Sequence, residues 1–345
     1  MFISEEWLVF EKEVLKQRPL FTGTVEECRT AYQATSDNLA LQYPKPSEYD
    51  VNEQWETTDS GIRLLICTPT KASKIIKLPV AVFAHGGGHI AGGVGPEKSS
   101  FDDRMCRYVA QNAQIIVIQV DFRLGPEHPT PTQVEDCTSA FKWCHSNASK
   151  FRGDPDRFIS FGSSLGGGVA FAVTLKLIDE GLGSLVKGIV TMCPAAMHPF
   201  NVPEEYNGMY KAYDETWTGA PMQDGESMVV FYSRLITAKP IVQSDADQIH
   251  LDHNGGTKHL DNPYIFPCLH PGLRNLPPTY ISVCGLDPVR DDGTVLKYNL
   301  DNFGIRNKFD RYDGMPHYFW VFPNLKDSAL FHENVVHGVK WVLAV

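Results

Sequence analysis

Ser164 sits in the run Gly162-Ser163-Ser164-Leu165-Gly166-Gly167-Gly168. A serine hydroxyl is a weak nucleophile. To attack a carbonyl it needs a base to take its proton, an acid to orient that base, and N–H donors for the oxyanion that forms. The run lies between an apolar, strand-like stretch, Arg157-Phe158-Ile159-Ser160-Phe161, and a helix-like stretch over 169–179. In that context a G-x-S-x-G pentapeptide predicts a sharp strand-to-helix turn that presents the serine. Two serines are adjacent, and glycine spacing selects between them. Ser164 has Gly162 two residues before it and Gly166 two after, whereas Ser163 has Phe161 and Leu165 there.

Candidates for each partner follow in the rest of the chain. His85-Gly86-Gly87-Gly88 comes directly after an apolar run. Glycines let the main chain approach a ligand closely, so the N–H groups of Gly87, Gly88 and Leu165 are the expected oxyanion donors, with His85 and Gly86 supporting the loop. A phosphate-binding glycine loop is the rival, but no P-loop lysine or dinucleotide fingerprint accompanies it. The acid is expected at Asp287, beyond the seventh strand-like run; Asp291 and Asp292 compete but fall at a helix start, where carboxylates are common. The base is expected at His317, after the last strand, one of 12 histidines chosen for that position and for following the acid.

The elements that must position these groups are legible by period. Strands are expected at 51–57, 62–67, 80–84, 115–120, 158–161, 188–193, 280–284 and 308–312, and helices at 99–113, 132–146, 169–180, 289–303 and 327–342. Alternation of this kind predicts a mostly parallel eight-stranded sheet flanked by helices, an α/β class fold. Two helices precede the strands. Ser4 caps the first and Pro19 stops it; Thr24-Val25-Glu26-Glu27 opens the second with a capping-box pattern. Trp7 and Phe10 in the first are expected to pack onto a cap. About 85 residues separate Pro194 from Pro278, far more than a crossover needs, which predicts a helical cap over the sheet's C-terminal edge. The expected division is 1–45 as N-terminal cap helices, 46–196 with 263–345 as catalytic domain, and 197–262 as cap insertion, with a helix over 227–237. The insertion's aromatics, Tyr210 and Trp217 among them, serve either as cap core or as substrate wall; His89, Ser163 and Tyr318 are further pocket candidates. His250, His253 and His259 with Asp247 and Asp252 lack zinc-ligand spacing and read as a solvated loop.

Composition narrows the partners. The 345 residues are 43% hydrophobic and 21% charged, with a formal net charge of −10. Nucleic acid and anionic membranes would repel such a chain. No secretion signal or stretch of about 20 apolar residues is visible. The eight cysteines form no C-x-x-C pair and read as reduced and structural. The expectation is a cytoplasmic protein without metal or organic cofactor, taking a small-molecule ester, with no nucleic acid or membrane insertion and with a homodimer as candidate assembly.

Taken together, these motifs resemble the hormone-sensitive lipase family of α/β-hydrolases, also called bacterial family IV esterases and related to plant carboxylesterases. The resemblance rests on His85-Gly86-Gly87-Gly88, the block from Asp121 to Pro129, Gly153-Asp154-Pro155-Asp156-Arg157, the serine turn, Leu276-Pro277-Pro278, Asp287-Pro288-Val289-Arg290-Asp291 and Gly314-Met315-Pro316-His317-Tyr318-Phe319. It implies an α/β-hydrolase fold, a Ser164–Asp287–His317 triad, a Gly87–Gly88–Leu165 oxyanion hole and a two-part cap. The 121–129 block is structural in that family, and Arg123 and Glu127 are expected to pair. Three positions depart from its pattern: Ser163 where an acidic or other polar residue is usual, His89 where a bulky apolar one is, and Leu165 where alanine is common. They put the substrate in question rather than the chemistry. The expected activity is hydrolysis of a short- or medium-acyl ester of a specialised metabolite. The rivals are acyl transfer, lactone or C–C bond chemistry and cyclisation with the same triad, or a ligand-binding receptor of the kind plants build for gibberellin, which has lost the histidine present here.

Overall fold

The computed structural model describes residues 2–15, 24–73, 75–95, 100–225, 228 and 260–344. Eight strands form one sheet: β1 (Val51–Thr57), β2 (Arg63–Pro69), β3 (Leu78–Ala84), β4 (Ile116–Asp121), β5 (Gly153–Ser163), β6 (Gly188–Met192), β7 (Thr279–Leu286) and β8 (Asn307–Pro316). Their order is β1-β2-β4-β3-β5-β6-β7-β8. β2 runs antiparallel to both neighbours and every other pairing from β4 to β8 is parallel. This is the α/β-hydrolase fold that the sequence predicts.

Parallel strands covered on both faces need continuous apolar runs. β3, Leu-Pro-Val-Ala-Val-Phe-Ala, is buried at every position. Alternate side chains go to opposite cores. Ala81 and Phe83 join Val109, Ala110, Phe331 and Val335 on one face. Val80 and Val82 join Phe141, Val169 and Val173 on the other. The covering helices are α3 (Asp103–Ala113), α4 (Thr132–Ser146), α5 (Leu165–Asp179), α7 (Arg290–Asn302) and α8 (Lys326–Leu343). α1 (Glu5–Phe10) and α2 (Val25–Ala40) precede the sheet, and the short α6 (Ala212–Glu215) lies in the insertion. None of the described helices is long and apolar enough to cross a membrane.

Ser4 caps α1 as expected, accepting from the Trp7 N–H, and Thr24 and Glu27 form the capping box of α2. Helical backbone continues from α1 through a π turn, Glu11–Leu15; Pro19 lies outside the described residues. Two expectations need correction. Trp7 and Phe10 pack not on a cap but on Phe322, with ring centroids 5.8 and 4.9 Å away. Arg123 does not pair with Glu127. Asp136, buried on α4, offers both oxygens to the Arg123 fork at 2.7 and 3.0 Å, while Arg29 takes Glu127 at 2.7 Å. A bidentate partner held rigidly by a helix is the better match for a guanidinium.

All eight cysteines are buried and none is in a disulfide. The helix expected over 227–237 and the cluster of Asp247, His250, Asp252, His253 and His259 lie outside the described residues.

Candidate active site

β5 ends at Ser163 and α5 starts at Leu165, so Ser164 alone makes the turn, with φ 55° and ψ −127°. That strained backbone is possible because both flanking glycines lack a Cβ. One on Gly162 would collide with the Gly166 carbonyl, and one on Gly166 with the Ala84 and His85 carbonyls. The Ser164 N–H donates to the Met192 carbonyl of neighbouring β6 at 2.8 Å.

His317 directly follows β8 and Asp287 directly follows β7, so adjacent parallel strands deliver them to one edge of the sheet. His317 Nδ1–H donates to Asp287 Oδ2 at 2.6 Å. A carboxylate can only accept, which places a proton on Nδ1; in the neutral, basic form of the ring Nε2 then accepts from Ser164 Oγ–H at 2.9 Å. The other Asp287 oxygen accepts from the Val289 N–H at 3.0 Å. Ser164, Asp287 and His317 are all buried. Burial pushes the His317 imidazole down, but the Asp287 charge and hydrogen bond, together with Cys193, outweigh it, and the net shift is upward.

Asp291 and Asp292 do different work. Asp291 Oδ2 accepts from the Lys211 and Ala212 N–H groups at 2.7 Å each. Asp292 accepts from the Ala196 N–H at 2.7 Å, the Met197 N–H at 3.0 Å and the Tyr210 hydroxyl at 2.7 Å. Arg290 braces this cluster by donating to Asp291 and to Glu215 at 2.8 Å each. Both aspartates therefore fasten the insertion to α7, and Asp287 alone meets the histidine.

The glycine loop is braced from two sides. His85 stacks on Phe122, ring centroids 4.1 Å apart, and its Nδ1–H donates to the Gly86 carbonyl at 2.7 Å. With that carbonyl pinned, peptide planarity turns the Gly87 N–H the opposite way. Gly87 and Gly88 both have positive φ, 91° and 66°, and with Leu165 they line the cavity at Ser164.

That cavity has a volume of ≈ 50 Å³, room for a few water-sized groups. Besides Gly87, Gly88, Ser164, Leu165, His317 and Tyr318, its walls include Cys28 and Tyr32 from α2, Phe101, and Met222 and Met228 from the insertion. Of the five pocket candidates, Tyr318 lines it and the other four do not. His89 is turned into the core against Phe122, where burial first and His85 second push it down to about 3. Ser163 points beneath the turn, donating to Asp102 Oδ2 at 2.7 Å. Tyr210 is held by Asp292, and Trp217 packs against Phe200. Sequence reasoning missed Cys28, Tyr32, Phe101, Met222, Met228 and the buried Asp102. For Cys28 and Tyr32 the one signal was the capping box that opens α2, which places the helix but not the face it turns inward.

Among the described residues, Cys193, Cys284 and Asp287 are the group whose ligand atoms lie close enough for a metal, within 4.8 Å. Burial pushes both thiols up, and their sulfurs are 3.3 Å apart. They are protonated, polarizable core packing beneath the Asp287–His317 pair.

Residues 81–321 match the Abhydrolase_3 family, described as alpha/beta hydrolase fold. The chain is 35% identical over 343 residues to a versiconal hemiacetal acetate esterase of Dothistroma septosporum (strain NZE10 / CBS 128990), covering 99% of this chain and 95% of that one. A protein of the same name from Aspergillus parasiticus (strain ATCC 56775 / NRRL 5862 / SRRC 143 / SU-1) is 30% identical over 336 residues, covering 96% of each. Among solved structures, vibralactone cyclase superposes with a TM-score of 0.82 at 23% identity, covering 99% of this chain and 95% of that one; this likeness concerns the fold alone.

Proposed function

The chain belongs to the Abhydrolase_3 family and is a carboxylesterase-type α/β-hydrolase of the hormone-sensitive lipase group, and from that premise we propose that Ser164, His317 and Asp287 are its catalytic triad and that its substrates are short-acyl esters, acetates first. The observation that carries the triad is the single imidazole bridging Ser164 Oγ and Asp287 Oδ2. His317 Nε2 takes the Ser164 proton as Oγ attacks the ester carbonyl, and Asp287 stabilises the imidazolium. The N–H groups of Gly87, Gly88 and Leu165 receive the oxyanion. His317 then protonates the leaving alcohol, and water releases the acyl group from Ser164 by the reverse proton path.

Acetate preference is supported by the small apolar cavity at Ser164 and by two relatives named for a hemiacetal acetate. Leu165 narrows the space beside the glycine loop. The same proposal takes 1–45 and 197–262 as a cap over a catalytic domain of 46–196 and 263–345. Its support is that α2 and the insertion both contribute walls over Ser164. A cytoplasmic location is supported by eight buried cysteines with no disulfide among them; the homodimer belongs to the proposal too, and sedimentation velocity tests it.

The experiment is hydrolysis of p-nitrophenyl acetate, butyrate and octanoate by wild type and Ser164→Ala. The expected order of kcat/KM is acetate, then butyrate, then octanoate, with turnover lost in the variant. Octanoate as the best substrate would overturn the acyl assignment. Full activity in Ser164→Ala would overturn the triad.

A further inference from the structure

We propose that Asp102 is a positioning residue for ester hydrolysis, because one of its carboxylate oxygens gathers the glycine loop, the nucleophile turn and the base loop onto a single acceptor. The inference rests on the triad reading above and goes beyond it. Asp102 Oδ2 accepts from the Gly86 N–H at 3.0 Å, the Ser163 hydroxyl at 2.7 Å and the Tyr318 hydroxyl at 3.0 Å. Ser163 Oγ and the Tyr318 oxygen are themselves 2.6 Å apart. Each of the three donors is the chain neighbour of a reacting group. Gly86 precedes Gly87, Ser163 precedes Ser164, and Tyr318 follows His317.

The energetics favour this role over a purely structural one. Asp102 is 0% exposed, and burial pushes its carboxyl up by more than its three donors pull it down. A buried carboxylate is costly, and a well-packed apolar residue usually serves stability as well or better. What an apolar residue cannot do is hold three separate loops through directed hydrogen bonds. Oδ2 takes all three donors while Oδ1 has no hydrogen-bond partner, so the convergence is on one point rather than spread over the group.

Two neighbouring features fit. A Cβ on Gly86 would collide with the Tyr318 hydroxyl, so the glycine makes room for the network as well as for the loop's bend. Tyr318 has φ 61°, left-handed for a bulky residue, and its ring stacks on Trp320 at 4.6 Å. That backbone is held where its hydroxyl reaches Asp102 while His317, one residue back, reaches Ser164. Small displacements of such groups cost rate steeply.

The test is steady-state kinetics on p-nitrophenyl acetate for Asp102→Asn, Ser163→Ala, Tyr318→Phe and their pairs, alongside Ser164→Ala and thermal unfolding of each. Asp102→Asn keeps the size and removes the charge. It is expected to lower kcat about 10²-fold, as loss of an oxyanion donor does, with KM nearly unchanged, the signature of a contact needed in the transition state. Tyr318→Phe and Ser163→Ala should each lower kcat by less. The Asp102→Asn/Tyr318→Phe pair should lose far less than the product of the single losses. Folded variants with wild-type kcat, or losses that multiply independently, would overturn the proposal. Should Asp102→Asn not fold, the Ser163→Ala/Tyr318→Phe cycle decides by the same criterion. Wild-type activity in Asp102→Asn with none in Ser164→Ala rejects the Asp102 role and leaves the triad standing; activity in Ser164→Ala rejects the triad itself.

Discussion

The two sides of Ser164 are built in different ways. On one side, the catalytic groups stand at the ends of adjacent parallel strands. Asp287 follows β7, His317 follows β8, and buried hydrogen bonds of 2.6 and 2.9 Å join them to the serine. On the other side, the cavity wall is assembled from α2, Phe101 and the insertion, segments that belong to different parts of the chain. The insertion is tied to the body by the buried Asp291 and Asp292, whereas α2 is tied by half-exposed polar contacts. Arg29 on α2 donates to the Ile90 carbonyl at 2.6 Å and the Gly125 carbonyl at 2.9 Å, and pairs with Glu127. The chemistry is held rigidly by the sheet, and the choice of substrate is held by parts that can vary without disturbing it.

If that division is right, breaking the strand-end side costs most. Asp287→Asn leaves the histidine without its orienting carboxylate and should lower kcat about 10⁴-fold. The pH profile gives the sign. Asp287 raises the His317 pKa, so the base form grows as pH rises, and in Asp287→Asn the acidic limb of residual activity should move to lower pH. A limb that stays in place would mean another group sets it.

Next comes the turn. Gly162→Ala places a Cβ against the Gly166 carbonyl. Overpacking of this kind costs about 1–3 kcal/mol, to be read as a lowered unfolding midpoint together with lost activity. An unchanged midpoint would show the elbow to be looser than its glycines indicate.

The wall should behave otherwise. Met222→Ala enlarges the acyl space, and the butyrate-to-acetate ratio of kcat/KM should rise within the roughly 10–200-fold range that a hydrophobic pocket commands. kcat on acetate should change little. A large fall on acetate would mean the wall takes part in the chemistry and would erase the distinction between the two sides.

The smallest effect is expected at the tie of α2. The Arg29 hydrogen bond holds the Glu127 carboxyl at about 2, below its ordinary 4.5. A depressed carboxyl contributes stability that is present above 4.5 and lost as pH falls towards 2. The pair is half exposed and screened, so Glu127→Gln should cost less than about 1 kcal/mol near neutral pH. That difference should disappear in acid.

The same division explains what could be read from sequence. The turn glycines, the glycine loop and the residues closing β7 and β8 act within a few positions of one another, and local sterics fix them. Strand positions were legible by apolar run, with ends short: β8 reaches Pro316 because it must deliver His317. Contacts that join distant segments were not legible. Asp102 touches a residue 216 positions away, and nothing near it marks it apart from Asp103. The sequence pairs Arg123 with Glu127 in the same block, while the fold offers Asp136 from α4. His89 and Ser163 were noticed as departures from a family pattern, yet both turn into the core, so an unusual residue beside a site need not face it.

Covalent labelling reads out the nucleophile itself. Wild type, treated with diethyl p-nitrophenyl phosphate and digested, should carry a single diethylphosphoryl group that peptide mass spectrometry maps to Ser164. Labelling should be absent in Ser164→Ala and present in Ser163→Ala. A folded wild-type protein that takes no label, or an adduct mapped to Ser163, would show that Ser164 is not the nucleophile.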